Sequence, residues 1–363
     1  MGVDVFAKGG IPRYSIYQIK ALINIHGAEN VFVFSLAPYN PNSAFEEKIK
    51  TEYVQGKVTF LSKLIFTFKA LKLIKVKKIE LVICNHIQLS IISWFAKQLY
   101  GTKYVTNVYG IEVWTNVKAR DILGLRNSDI IIGDCNFVLD YIKKHFKIKK
   151  PKFRLLHDPV DTNKFKPMRK DQRLFKKYTI PDNKFIAMTV GRLERNKGFE
   201  LVIKSLSELP EDIIYVIVGD GSKKNEFKDL AVQLKLSERV FFTLRVPEQD
   251  LVGLYNLCDV FVLVSEFGHG EGEGLPLGLI EASACAKPII GGNADGSVDA
   301  IENGKNGYII EPHDMKTFKE RILSLYREKD LREILGFYGR EKAMRDFNTV
   351  KFEQRLKEIF INK

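Results

Sequence analysis

Short apolar runs separated by helix-length amphipathic stretches recur along the chain, and this alternation constrains the fold more than any other feature. Residues 31–35, 81–84, 104–107 and 130–133 read as strands in the first half, and 184–190, 213–218, 240–242, 260–264 and 288–290 in the second. An opening strand is expected over 3–7, followed by Lys8-Gly9-Gly10 and a helix to about Ile25. Strands that alternate with helices build parallel sheets with right-handed crossovers, an α/β fold. At 363 residues the chain exceeds one ordinary core, so two such domains are expected. The turn-rich stretch 153–167 reads as the hinge between them. It bounds domains over 1–165 and 166–346, and three helical patterns close the chain at 317–327, 331–344 and 350–361.

The stretch Glu271-Gly-Glu-Gly-Leu-Pro-Leu-Gly-Leu-Ile-Glu281-Ala-Ser-Ala-Cys285 turns from a glycine loop into an apolar helix without a break. Gly270, Gly272 and Gly274 let backbone approach a ligand, and Pro276 suits a first helical turn. The free amides of that turn attract anionic oxygens. Glu273 and Glu281 are eight positions apart, and they share a side about 12 Å apart if the helix starts near Glu273. A sugar nucleotide needs such a pair, one acid for sugar hydroxyls and one for the ribose diol. The plainer alternative is a buried helix with packing glycines and Glu281 as a surface acid.

A second motif, Gly191-Arg-Leu-Glu-Arg-Asn-Lys-Gly198, follows the strand at 184–190 and precedes a helix over 199–209. Arg192 and Lys197 there suit a diphosphate clamp, the arginine as a fork and the lysine as a point charge. A solvated basic turn is the alternative. Tyr109 stands in Val-Tyr-Gly at a strand end, where α/β sites gather. His86 and His145 read as structural polar groups. No G-x-G-x-x-G follows a strand, which argues against a nicotinamide-dependent dehydrogenase.

Taken in order, these motifs resemble the GT-B glycosyltransferases of family 4, marked by two glutamates separated by seven residues. The likeness covers about residues 9–355. It implies two Rossmann-like parallel-sheet domains facing across a cleft, the last helix (about 347–363) crossing back to complete the first. It also implies retaining transfer of a hexose from a UDP- or GDP-sugar to a hydroxyl of a lipid-linked or cell-surface glycan. In that reading Arg192 and Lys197 hold the diphosphate and Glu281 the ribose. Glu273, with Gly274, Leu275 and Pro276 at the helix start, takes the donor sugar. Gly9 and Gly10 face the diphosphate and acceptor, and Val246 meets the base. Where the family carries histidine this chain has Tyr109, which can donate a hydrogen bond but cannot serve as an imidazole acid. No cofactor and no metal are expected, because no Asp-x-Asp pair stands ready to hold one and the two cations supply its electrostatics. A phosphorylase-like or disaccharide-forming enzyme with a soluble acceptor stays open, as does a non-catalytic sugar-nucleotide-binding relative.

Charge bears on partners. Of the net +13, residues 1–170 carry +15 and the remainder −2. The excess suggests an anionic partner, and an acidic membrane surface is expected rather than nucleic acid. Lysine-rich composition alone would also produce it. Residues 61–78 hold six lysines and no acid, with Lys69, Lys72 and Lys75 on one helical face opposite Phe66, Ala70, Leu73 and Ile74. Together with the lysines at 143–150 this face is the expected contact. No apolar run reaches a membrane span, the first residues lack a signal-peptide pattern, and four scattered cysteines lack metal-ligand spacing. A cytoplasmic protein, peripheral on the inner membrane face, is therefore expected.

Overall fold

The computed structural model describes all residues except 6–8, 38–49, 54–58, 149–151, 269–271 and 362–363. Chain contacts divide it into two units, 1–159 with 349–363, and 160–348.

The first unit carries β1 (Phe32–Ser35), β2 (Lys50–Tyr53), β3 (Leu81–Cys84), β4 (Lys103–Val108), β5 (Ile130–Gly133) and β6 (Lys152–Leu155). β3-β4-β5-β6 form one parallel sheet, and β1 and β2 pair in parallel. The chain start bridges the two. Met1 N donates to Ile83 O at 2.6 Å and Gly2 N to Phe34 O at 3.0 Å, while Gly2 O accepts from Leu36 N. Pairing at the chain start runs over residues 1–3, and the chain bends at Val3 and Asp4 and turns at Val5, so the described part of the strand expected over 3–7 is not strand. Phe6 to Lys8 lie outside the described residues. β6 falls inside the stretch expected to be hinge. It pairs only with β5 and its residues are half-exposed or exposed, so this edge strand lacks the apolar signature of the others. The helix Gly10–His26 packs against the returning helix Thr349–Ile361. There Phe352, Leu356 and Phe360 join Tyr14, Ala21 and Tyr109 in one apolar cluster.

The second unit carries β7 (Phe185–Val190), β8 (Ile213–Val218), β9 (Val240–Leu244), β10 (Val260–Leu263), β11 (Ile289–Gly292) and β12 (Gly307–Ile310). They form a parallel sheet in the order β12-β11-β10-β7-β8-β9. All of β8, β10 and β11 is buried, and the strands carry only apolar residues, glycine and a tyrosine, as a parallel sheet with helices on both faces requires. Phe199, Phe227 and Phe318 are fully or almost fully buried in this core, each contributing roughly 2–3 kcal/mol by burial. The order reverses between β7 and β10. The carboxyl ends of those two strands mark the place at which α/β sheets bind ligands.

Candidate active site

The loop after β7 runs Gly191–Gly198 into the helix Phe199–Leu206. Gly198 adopts a left-handed φ of 73°, and any side chain there would collide with the Val264 carbonyl beyond β10. That close approach lays the β7 loop against the β10 loop, and Glu266 N donates to Asn196 O at 2.9 Å. Lys197 Nζ pairs with Glu273 Oε1, with the two side chains only 12% and 22% exposed. The two motifs singled out in sequence therefore meet at the reversal point of the sheet. Arg192 stands at the exposed start of the same loop.

Glu273 reaches this position from a loop. The helix is Leu277–Ala284 with Pro276 as its cap, so it does not start near Glu273. Proline disfavours helical backbone in the residue before it, which keeps Leu275 and everything upstream out of the helix. Helical spacing thus does not place Glu273 over Glu281; Lys197 holds Glu273 instead. Nor is Glu281 a surface acid: it is 4% exposed and accepts a hydrogen bond from the buried Tyr255 hydroxyl at 2.6 Å. Leu275 is buried, and Gly274 O accepts from Gly296 N at 3.1 Å. Gly270 and Glu271 lie outside the described residues. Val246, half-buried, follows β9 at the edge of the sheet, two strands from β7 with β8 between them.

Sequence reasoning missed Asp295. Its residue is 0% exposed, its Oδ1 accepts from Ser297 N at 2.8 Å, and its Oδ2 has no hydrogen-bond partner. Burial pushes this carboxyl up to about 7; the adjacent Ser297 opposes the rise most, and the weaker influences of Glu273 and Lys197 add to it and oppose it in turn. Asn-Ala-Asp-Gly-Ser reads locally as a polar turn, and nothing in it signals proximity to Lys197.

Gly9, Gly10 and Tyr109 belong to the other unit. Gly9, at φ 144°, precedes the helix Gly10–His26, and its carbonyl accepts from Arg13 N at 3.2 Å. Tyr109 follows β4 and is 6% exposed, its ring edge-on to Tyr14 at 5.0 Å. Its amide donates to Glu112 Oε1 at 2.6 Å. The Tyr14 and Tyr109 hydroxyls, Glu112 Oε2 and Asp158 Oδ1 are buried without hydrogen-bond partners. Burial raises Glu112 and Asp158 to about 7, with Arg13 opposing the rise at Asp158. Burial first, then Tyr14 and Asp158, raises the Tyr109 phenol well above its usual range. Neither acid was singled out by sequence, where each sits in an unremarkable turn. His86 accepts from Gln88 N through Nδ1, and His145 stacks on Tyr141, both local structural contacts. Lys149 and Lys150 lie outside the described residues.

In the second unit, then, a partly buried cation shared with a carboxylate lies at the mouth of a parallel sheet beside a helix start. Such a group can exchange its carboxylate for an anionic ligand. The profile of the family "Glycosyl transferases group 1" matches residues 170–342, which span this site. An Escherichia coli protein described as UDP-Gal:alpha-D-GlcNAc-diphosphoundecaprenol alpha-1,3-galactosyltransferase is 25% identical over 373 residues, 97% of this chain and 94% of that protein. An uncharacterized glycosyltransferase of Methanocaldococcus jannaschii is 25% identical over 239 residues. That match covers 65% of this chain and 59% of the archaeal protein, less than two thirds of its length. The crystal structure of Anabaena HepE in complex with UDP superposes with a TM-score of 0.85 at 17% identity, covering 100% of this chain and 98% of that one.

Proposed function

We propose, from the match of residues 170–342 to the group 1 glycosyl transferases and from the GT-B fold of the chain, that it moves a hexose from a nucleoside-diphosphate sugar to an acceptor hydroxyl with retention of configuration. The observation that carries the reading is the Lys197–Glu273 pair. A donor brings phosphate charge to Lys197 and sugar hydroxyls to Glu273, so each group gains a ligand partner as it gives up the other. Arg192 completes the grip on the diphosphate. The amides of Gly274 and Leu275 and the helix start at Pro276 face the sugar, Glu281 the ribose, and Val246 the base. For the first unit taken by itself, Gly9 and Gly10 are proposed for diphosphate and acceptor oxygens and the Tyr109 phenol for a sugar oxygen. As the sugar departs, negative charge grows on the diphosphate, and fixed cations stabilise it as a metal would.

The acceptor we propose is a lipid-linked glycan at an anionic membrane, with no nucleic acid partner and no cofactor beyond the UDP- or GDP-sugar. Two observations favour this. The E. coli relative is named for a diphosphoundecaprenol-linked acceptor. The helix Phe60–Val76 exposes Phe60, Leu61, Leu64 and Phe68 beside exposed Lys69, Lys72 and Lys75. Among the described residues no helix is long and apolar enough to cross a membrane, and the contact proposed is peripheral. A thermal-shift panel of UDP, GDP and ADP sugars tests the donor: one nucleotide series should raise Tm according to its affinity. No shift with any of them at millimolar concentration overturns the reading.

A further inference from the structure

Resting on that reading, we propose that Asp295 is a positioning residue that sets which hexose the donor subsite accepts. A fully buried carboxyl with one unmet oxygen is an expensive arrangement, and well-packed proteins keep few of them without a purpose. Asp295 also has company. The Ser265 and Ser297 hydroxyls are buried without partners, one beyond the end of β10 and one in the loop of Asp295 itself. Gly292, the last residue of β11, lies so close to Ser265 that a Cβ there would stand 2.5 Å from the Ser265 carbonyl. These polar atoms therefore line the carboxyl ends of adjacent strands, beside the loop that carries Glu273.

Two links run from Asp295 to the proposed sugar subsite. The first is mechanical. Ser297 N donates to Oδ1 and fixes the turn at Gly296, whose own amide donates to Gly274 O. Only glycine fits there, because a side chain at position 296 would strike the Gly274 carbonyl. The backbone of Gly274 and Leu275, whose amides face the sugar, thus rests on the Asp295 turn. The second link is electrostatic. Asp295 lies close enough to Glu273 and Lys197 for both charges to act on it. A charge at Asp295 therefore bears on Glu273, the acid proposed to take the sugar hydroxyls. Both links act on the sugar end of the donor; neither touches the exposed Arg192 or the loop at Val246.

Asp295→Asn keeps an oxygen for Ser297 N and removes the charge; Asp295→Ala removes both. Calorimetric titration of the full chain with UDP, UDP-glucose and UDP-galactose, and with GDP, GDP-mannose and GDP-glucose, supplies the readout. For the series the parent binds, the ratio of Kd values between the two hexose epimers should shrink at least tenfold in Asp295→Asn, while Kd for the free nucleoside diphosphate stays within threefold. Asp295→Ala should lose the ratio entirely; should it fail to fold, the Asn variant alone carries the test. An unchanged ratio overturns the role. So does equal weakening of nucleoside diphosphate and both sugars, the mark of a general structural defect. A parent chain that binds no nucleoside diphosphate overturns the underlying reading instead, and this inference with it.

Discussion

Arg192 and Lys197 share one loop but not one environment. The arginine is exposed at its start, whereas the lysine is mostly buried and bonded to Glu273. Removing Arg192 should therefore leave stability unchanged and strike only the grip on the leaving diphosphate. Arg192→Ala is expected to lose roughly 10²-fold or more in kcat, the usual scale for one preorganised charge. A variant within threefold of the parent in kcat/KM ends that role. Tyr109 makes a different case. With its phenol raised by burial, it stays protonated at any working pH and can donate but not titrate. Tyr109→Phe should cost about 1–2 kcal/mol, the scale of one hydrogen bond, or about ten- to thirtyfold in kcat/KM with donor binding weakened to match. A Phe variant with normal nucleotide binding and no turnover would instead give the hydroxyl a part in the chemistry. Both residues were legible in sequence because each sits in a strand-to-turn motif of adjacent residues.

At the scale of elements, the helix Phe60–Val76 combines one buried stripe with an exposed face of mixed apolar and basic residues. Thr59 and Ser62 close a reciprocal capping box at its start, with Ser62 N donating to Thr59 Oγ1 at 3.2 Å and Thr59 N to Ser62 Oγ at 2.6 Å. Ser62, Phe66, Ala70 and Ile74 recur every four residues and are buried, so this stripe faces the core of its unit. Leu73 is only half-buried, and the apolar residues Phe60, Leu61, Leu64 and Phe68 remain exposed among the lysines. Such a surface suits the boundary of an anionic bilayer, where each lysine contributes about 1 kcal/mol. Co-sedimentation with vesicles should require acidic lipid, weaken steeply from low to physiological salt, and fail for the triple variant Lys69→Glu, Lys72→Glu, Lys75→Glu. Equal binding to neutral vesicles, or none to acidic ones, refutes the contact. The helix Leu277–Ala284 teaches the converse. Its apolar run was plain in sequence, yet Pro276 shortened it and moved Glu273 into the loop.

Across the whole molecule, three buried acids, Glu112 and Asp158 in one unit and Asp295 in the other, share carboxyls raised to about 7. Unfolded, such groups titrate near 4. Between about pH 4 and 7 the folded chain therefore holds more protons than the unfolded one, and each group lowers stability as pH rises, by up to about 1.4 kcal/mol per pH unit. His86 and the chain's amino group, both lowered by burial, tilt the other way, so the measurement is a difference between variants. In urea unfolding at pH 5.5 and 7.5, Asp295→Asn and Glu112→Gln should each gain stability relative to the parent at the higher pH. A gain equal at both pH values would place the carboxyl in its ordinary range. None of these acids could be found by inspection of neighbours. The alternation of strands and helices, the glycine loops and the basic turn before a helix are written in adjacent residues, because backbone periodicity and turn chemistry act over a few positions. β2, β6 and β12 escaped notice, the first two carrying charged residues and the third opened by a glycine at Gly307, and their place comes from pairing. The sequence alone determined the parallel α/β architecture and singled out the two motifs that meet at the candidate site. Only the tertiary structure decided that Lys197 meets Glu273, that Glu281 lies under Tyr255 and that Asp295 is sealed beside them. Those contacts exist because β7 and β10, distant in the chain, lie side by side in the sheet, and burial and charge belong to that packing rather than to any local run of residues.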